Sequence, residues 1–238
     1  MNISAIDLDF KELNKKVRES NEDVCIDGCF GQRFIGAAMR GKRLRINGTP
    51  GNALGAYLDG GVIEVSGNAQ DAVGDTMNDG KIIVHGSAGD ALGYAMRGGS
   101  IFIRDDAGYR TGIHMKEYKE KKPAIVIGGK VGSFLGEYLA GGLIVVLGIG
   151  ASQAPVGNFT GTGMHGGKIF IRTDKKLTAF PEQVAAEIAG DGDLHEIAQY
   201  VCEFAGIFGM EAGRLMEDRY YVLKPNAKNP YKQLYTAN

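Results

Sequence analysis

GNALGAYLDGGVIEVS from Gly51, QDAVGDTMNDGKIIVH from Gln70 and GDALGYAMRGGSIFIR from Gly89 are three successive versions of one phrase, and their starts lie 19 residues apart. A fixed period of that size marks a short supersecondary unit stacked on itself. Extending the frame both ways finds a glycine at Gly36, Gly55, Gly74, Gly93, Gly112, Gly136 and Gly161, at intervals of 19, 19, 19, 19, 24 and 25. Three residues after each stands Met39, Leu58, Met77, Met96, Met115, Leu139 or Met164. An aliphatic quartet follows each time: RLRI, VIEV, KIIV, SIFI, AIVI, LIVV and KIFI. Seven units therefore run from Gly31 to Arg172.

The second and fourth quartet residues are always aliphatic, as in Ile63/Val65, Ile101/Ile103 and Ile169/Ile171. Alternate strand side chains point to opposite faces, so these pairs share an inner face. Nineteen residues are too few for a βαβ unit. One coil of a β-helix fits, with like residues above like and glycine at the sharp corners. At the spacing of paired strands, seven coils make a prism roughly 34 Å long. The fold expected is all-β: a right-handed parallel β-helix of about seven coils, with a short N-terminal helix and a C-terminal helical cap. Three regions follow: 1–30, helix and lead-in; 31–174, repeats; 175–238, helices and an extended tail.

The flanks read as caps. Asp9 precedes Phe10, Leu13 and Val17 on one helical face. Beyond Asp174 the period stops. Pro181 opens a helix PEQVAAEIA, Asp193 caps a second, a third covers Glu211–Asp218, and the tail from Tyr220 is extended. The insertions KEYKEKK (Lys116–Lys122) and IGASQAPV (Ile149–Val156) read as loops bulging from the prism. The outward third position of the quartets turns apolar at Ile83, Phe102, Val126, Val145 and Phe170. Such a stripe needs a cover, either the C-terminal segment or a partner, which makes these five a candidate partner face.

Composition bounds the function. Glycine is 37 of 238 residues while proline is 6, so the glycine is positional rather than low-complexity. A net charge of −1 without a basic stripe argues against nucleic acid. No apolar run reaches the ~20 residues that span a bilayer, and no signal peptide is read, so a cytoplasmic protein is expected. Cys25, Cys29 and Cys202 are too few for a disulfide framework and lack the second close pair of a zinc site. The run Gly161-Thr-Gly163-Met-His-Gly166 matches GxGxxG, but its strand follows rather than precedes it, so the repeat explains it better than a nucleotide does. His114 and His165 fall near each other in the coil frame, two coils apart. Asp71, Asp75, Asp79 and Asp90 suggest a carboxylate-lined groove, as in a carbohydrate-active β-helix, yet Asp is an ordinary turn residue.

The run from Gly48 to Gly99, with the tail YYVLKPNAKNPYKQLYTAN, resembles the GXGXG domain at the C-terminus of the glutamate synthase large subunit. A looser resemblance is to the formylmethanofuran dehydrogenase subunit that carries similar repeats. The first implies a right-handed β-helix with no active site of its own. It would support separate amidotransferase (glutaminase) and FMN-domain subunits in glutamine-dependent amination of 2-oxoglutarate. FMN and the iron–sulfur cluster are expected on those partners, and no cofactor, metal or catalytic residue on this chain. The second implies a scaffold subunit of another complex. A homo-oligomer stays open.

Overall fold

The computed structural model describes residues 1–177 and 180–226. Its centre is a parallel sheet in chain order: β2 (Val24–Phe30), β3 (Arg43–Thr49), β4 (Asp59–Val65), β5 (Asp79–Val84), β6 (Ser100–Ile103), β7 (Ala124–Ile127), β8 (Ala140–Val146) and β9 (Gly166–Arg172). The quartets lie in register. Ile63, Ile82, Ile101, Ile125, Ile144 and Ile169 stack as one column, each fully buried. A second ladder of parallel bridges joins Ala69, Ala88, Ala107, Val131 and Val156. The Met/Leu column from Met39 to Met164 fills the space between them. The molecule is a parallel β-helix. Its stack is one strand longer than the seven quartets, because β2 pairs with β3 through Val24↔Leu44 and Ile26↔Ile46. A further short strand, β1 (Asn2–Ser4), lies parallel on β2.

The N-terminal helix α1 (Phe10–Glu19) forms where expected. Asp9 Oδ1 accepts the N–H groups of Lys11 and Glu12, both at 2.8 Å, satisfying two orphan donors of the first turn. Leu13 and Val17 are buried against the first coil. Asn14 shares that face and donates to the Arg33 carbonyl at 2.8 Å, so α1 lies against the open end of the stack.

The C-terminal region differs from expectation. Residues Val184–Ile188, expected inside a helix, form strand β10. It pairs antiparallel with β11 (Tyr220–Pro225), which itself runs antiparallel to β9. Ala and Glu favour a helix here, but a ladder of long-range hydrogen bonds overrides that weak preference. The two strands extend the sheet beyond β9, and the expected C-terminal helices accompany them. Helix α2 (Asp191–Phe208) starts three residues earlier than expected, with Gly190 as its cap. Asp193 instead accepts the Gly190 N–H at 3.4 Å. The third helix, α3 (Ala212–Glu217), lies where expected. The tail is extended through Pro225, and its part from 227 to 238 lies outside the described residues.

The insertion at 116–122 does not stand away from the prism. Lys121 reaches Asp79 at 2.8 Å, Asp59 at 3.7 Å and the Asn78 carbonyl at 3.2 Å, while Glu117 accepts the Gly142 N–H at 3.1 Å. In the other insertion, the Pro155 carbonyl accepts the Val131 N–H at 2.8 Å and Val156 bridges Val131, so the chain rejoins the stack there.

Candidate functional site

The apolar stripe is not a free surface. Ile83, Phe102, Val126, Val145 and Phe170 are buried under α2, which lays Ile197, Val201, Phe204 and Ala205 upon them. The candidate partner face is therefore corrected to an intramolecular interface: of the two covers the stripe allows, the chain supplies its own. Charged quartet residues pin the helix. Lys81 pairs with Glu203, and Lys168 pairs with Glu196 and, at 3.2 Å, with Asp193. Lys224 meets Asp193 at 3.0 Å and Lys122 meets Glu196 at 3.6 Å. The Lys168 hydrogen bond draws the Glu196 carboxyl below its usual range. Burial pushes Asp193 up, but its bonds from Lys224 and Lys168 outweigh that and leave it low. Burial lowers Lys168, and its two carboxylates more than compensate. Beneath α3, the Tyr220 hydroxyl donates to the Leu215 carbonyl at 2.9 Å.

The surface left open is the corner carrying the repeat glycines. All seven, Gly36, Gly55, Gly74, Gly93, Gly112, Gly136 and Gly161, are left-handed, with φ between 63° and 74°. The residues two before and two after them are left-handed as well, which the sequence does not announce. In the fifth coil these are Arg110 and His114, at φ 57° and 56°. Such a corner throws the side chains at both flanking positions outward, one coil above the next.

Over the last three coils these positions are aromatic or cationic in five of six cases, Arg110, His114, Phe134, Tyr138 and Phe159, the sixth being Gly163. His114 stacks on Tyr138 with ring centroids 5.0 Å apart and planes 7° from parallel, and Tyr94 meets His114 edge-on at 5.9 Å. Phe134 stacks on Phe159 at 5.0 Å, and the Arg110 guanidinium lies 4.9 Å from the Phe134 centroid. Arg110 also pairs with Glu137 at 3.2 Å. Phe159 is 57% exposed and Tyr94 40%. The signal for this patch was in the spacing. Arg110, Phe134 and Phe159 repeat at 24 and 25 residues, the intervals of the lengthened coils themselves.

The remaining candidate residues take structural parts. Asp71 Oδ1 accepts the Asp90 N–H at 2.9 Å, and Asp90 Oδ1 accepts the Tyr109 N–H at 2.8 Å, so these carboxylates link successive coils. Asp75 accepts the Thr76 hydroxyl at 2.8 Å. In the GxGxxG run, Gly161 and Gly163 are corner residues. A Cβ on Gly163 would lie 2.5 Å from the Tyr138 ring. His165 meets the Gly163 carbonyl at 3.2 Å. Cys29 is buried, which lifts its thiol to about 11, whereas Cys202 is exposed on α2. No group of three or more His, Cys, Asp or Glu side chains suited to a metal ion occurs among the described residues. No described helix is long and apolar enough to cross a membrane.

Comparison with known proteins agrees with this architecture. The model of the GXGXG motif family matches residues 12–226. The uncharacterized protein MJ1350 of Methanocaldococcus jannaschii is 42% identical over 255 aligned positions, covering 99% of this chain and 96% of that one. Among solved structures, a chain of the formyltransferase/hydrolase complex (FhcABCD) of Methylorubrum extorquens, determined with methylofuran, superposes with a TM-score of 0.66. The superposition covers 92% of this chain and 89% of that one at 20% identity, a likeness of fold.

Proposed function

The chain belongs to the GXGXG motif family, and from that premise we propose that it is a scaffold subunit of a multi-subunit enzyme complex with no active site of its own. The observation that carries this reading is the pair of aromatic columns at the glycine corner. Rings stacked about every 5 Å on a rigid prism lose little entropy on docking, and Tyr, Phe and Arg are the residues that anchor protein interfaces. The partner surface of this reading is the corner of Arg110, Phe134, Phe159, Tyr94, His114 and Tyr138.

The complex favoured is one that handles formyl groups, like formylmethanofuran dehydrogenase. Support comes from the fold shared with a chain of the formyltransferase/hydrolase complex across nine-tenths of both chains. A glutamate synthase assembly is the second reading, favoured by the likeness of Gly48–Gly99 to that enzyme's C-terminal domain. In it, the partners would be amidotransferase and FMN-domain subunits, which would hold the FMN and iron–sulfur cluster.

Affinity purification of the tagged chain from its native cells tests both. Formyl-transferring or molybdopterin-bearing companions support the first; glutaminase and flavin-dependent synthase companions support the second. A chain that purifies alone as a monomer would sink the scaffold reading. Changing Phe134 and Phe159 together to Ala should release the companions without unfolding the chain, with binding weakened about 30-fold or more.

A further inference from the structure

The first coil is preceded by a strand, β2, but its corner at Gly36 has no corner before it, and the hydrogen bonds it thereby lacks can be read from the coils that follow. In those six, the repeat glycine donates its N–H to the preceding coil, from Gly55 to Ile35 O (2.8 Å) through Gly161 to Leu135 O (2.8 Å). The residue four places on does the same, from Asp59 to Met39 O (3.0 Å) through His165 to Leu139 O (2.8 Å). Gly36 and Arg40 hold these positions in the first coil. Neither N–H has an acceptor among the described residues.

Elsewhere along this end, α1 and the loop after it replace the absent corner. Asn14 Nδ2 donates to Arg33 O at 2.8 Å, where in the next coil Phe34 N–H donates to Asn52 O. Asp23 Oδ1 accepts the Arg43 N–H at 2.8 Å, where in the next coil Val62 N–H meets Lys42 O. A carboxylate oxygen thus already stands in for a coil carbonyl at one of the three donor positions.

The other two positions line one cleft of about 420 Å³ between α1 and the first corner. Arg18, Asn21, Arg40 and Lys42 also line it, and no Asp or Glu does. Lys42 is committed to the Val17 and Ser20 carbonyls, both at 2.6 Å, and Arg40 to Asp59 at 2.8 Å. Neither Lys42 nor Arg18 has a carboxylate partner among the described residues; Lys42 is held on the carbonyl, negative end of α1, and Arg18 is the cation left to meet a ligand.

We propose that this cleft binds a small monocarboxylate. Its oxygens accept the N–H groups of Gly36 and Arg40 in place of the missing carbonyls, and Arg18 balances its single charge. Backbone donors that cannot find a protein partner are the usual cradle of anions. A carboxylate is favoured because the Asp23 carboxylate already takes the place of a coil carbonyl at the Arg43 N–H.

The test is titration of the full-length, isotope-labelled chain with acetate and with butyrate, followed by amide NMR, with chloride at matched ionic strength and inorganic phosphate as separate arms. Saturable movement of the Gly36 and Arg40 amides under a carboxylate is expected. Arg18→Gln should weaken it about tenfold, and Lys130→Gln, far along the stack, should leave it unchanged. Movement equal to that in chloride, saturation by phosphate alone, or no saturable movement with either carboxylate would overturn the proposal. The Arg18 variant's fold is checked by its unchanged amide spectrum beyond the cleft.

Discussion

Gly112 lies directly beneath Ile144 of the following coil: a Cβ placed on the glycine would stand 2.4 Å from the isoleucine Cδ1. The same contact links Gly36 to Ile63, Gly55 to Ile82, Gly74 to Ile101, Gly93 to Ile125 and Gly136 to Ile169. The repeat glycine therefore meets two demands at once. It turns the backbone left-handed, and it leaves the hole into which the next coil's strand residue fits.

Gly112→Ala should accordingly cost more than a left-handed backbone alone. The φ penalty of about 1–2 kcal/mol adds to an overpacking cost of about 1–3 kcal/mol. Urea denaturation should show a loss of about 2–5 kcal/mol with an unchanged m-value. A loss below about 1 kcal/mol would mean that Ile144 moves aside freely.

Ala95 tests the backbone half by itself. It is left-handed at φ 50°, two residues after Gly93, and only half-buried. Ala95→Gly removes the strain and gives back part of the gain as chain entropy. The expected outcome is a stabilisation of about 0.5–1 kcal/mol, an unusual sign for a glycine introduced into a folded chain. Thermal unfolding checks it.

Phe102→Asp addresses the sealed face. Phe102 is fully buried in the cluster that includes Val201 and Phe204. The nearby cation, Lys81, lies 6.0 Å from the Phe102 ring centroid and is already paired with Glu203, so a carboxylate buried there costs several kcal/mol. The variant should lose the docked α2, seen as new protease cleavage between Gly190 and Met210, or fail to fold. A stable F102D variant with α2 fully protected would contradict the packing.

The ion pairs that pin α2 give a pH signature. Glu196 and Asp193 are held below their ordinary values, so their contribution is full above the unfolded carboxylate pKa and disappears as pH falls through the depressed folded values, below about pH 4. Lys168 is raised, so its contribution is full below the unfolded lysine value and is lost only as pH climbs through its folded one, above about pH 10. Lys168→Met should destabilise the protein by about 1 kcal/mol at neutral pH, with the difference from wild type closing towards about pH 3. A difference that stays constant with pH would assign the effect to packing instead.

These outcomes also mark what could be read from residues alone. The β-helix was legible because glycine, the Met/Leu position and the aliphatic pairs each carry a local preference and recur at one period. β10 was not, since Val184–Ile188 looks helical until β11, far downstream at Tyr220–Pro225, supplies its ladder. The corner was half legible. Gly93 signals a left-handed turn, but Ala91, Ala95, Arg110 and His114 adopt the same backbone without any residue-level sign, because the stack imposes it. The stripe from Ile83 to Phe170 required a cover, and only tertiary packing could choose α2 over another protein.

A stack of parallel strands has polarity, and the reversal at β11 breaks it. A second copy arriving end-on at the C-terminal side would meet antiparallel β10 and β11 in place of another coil, so the register that built the rod cannot be continued there. The molecule thereby carries its own terminator against growth into a filament, a hazard for any solenoid whose every layer is a template for the next.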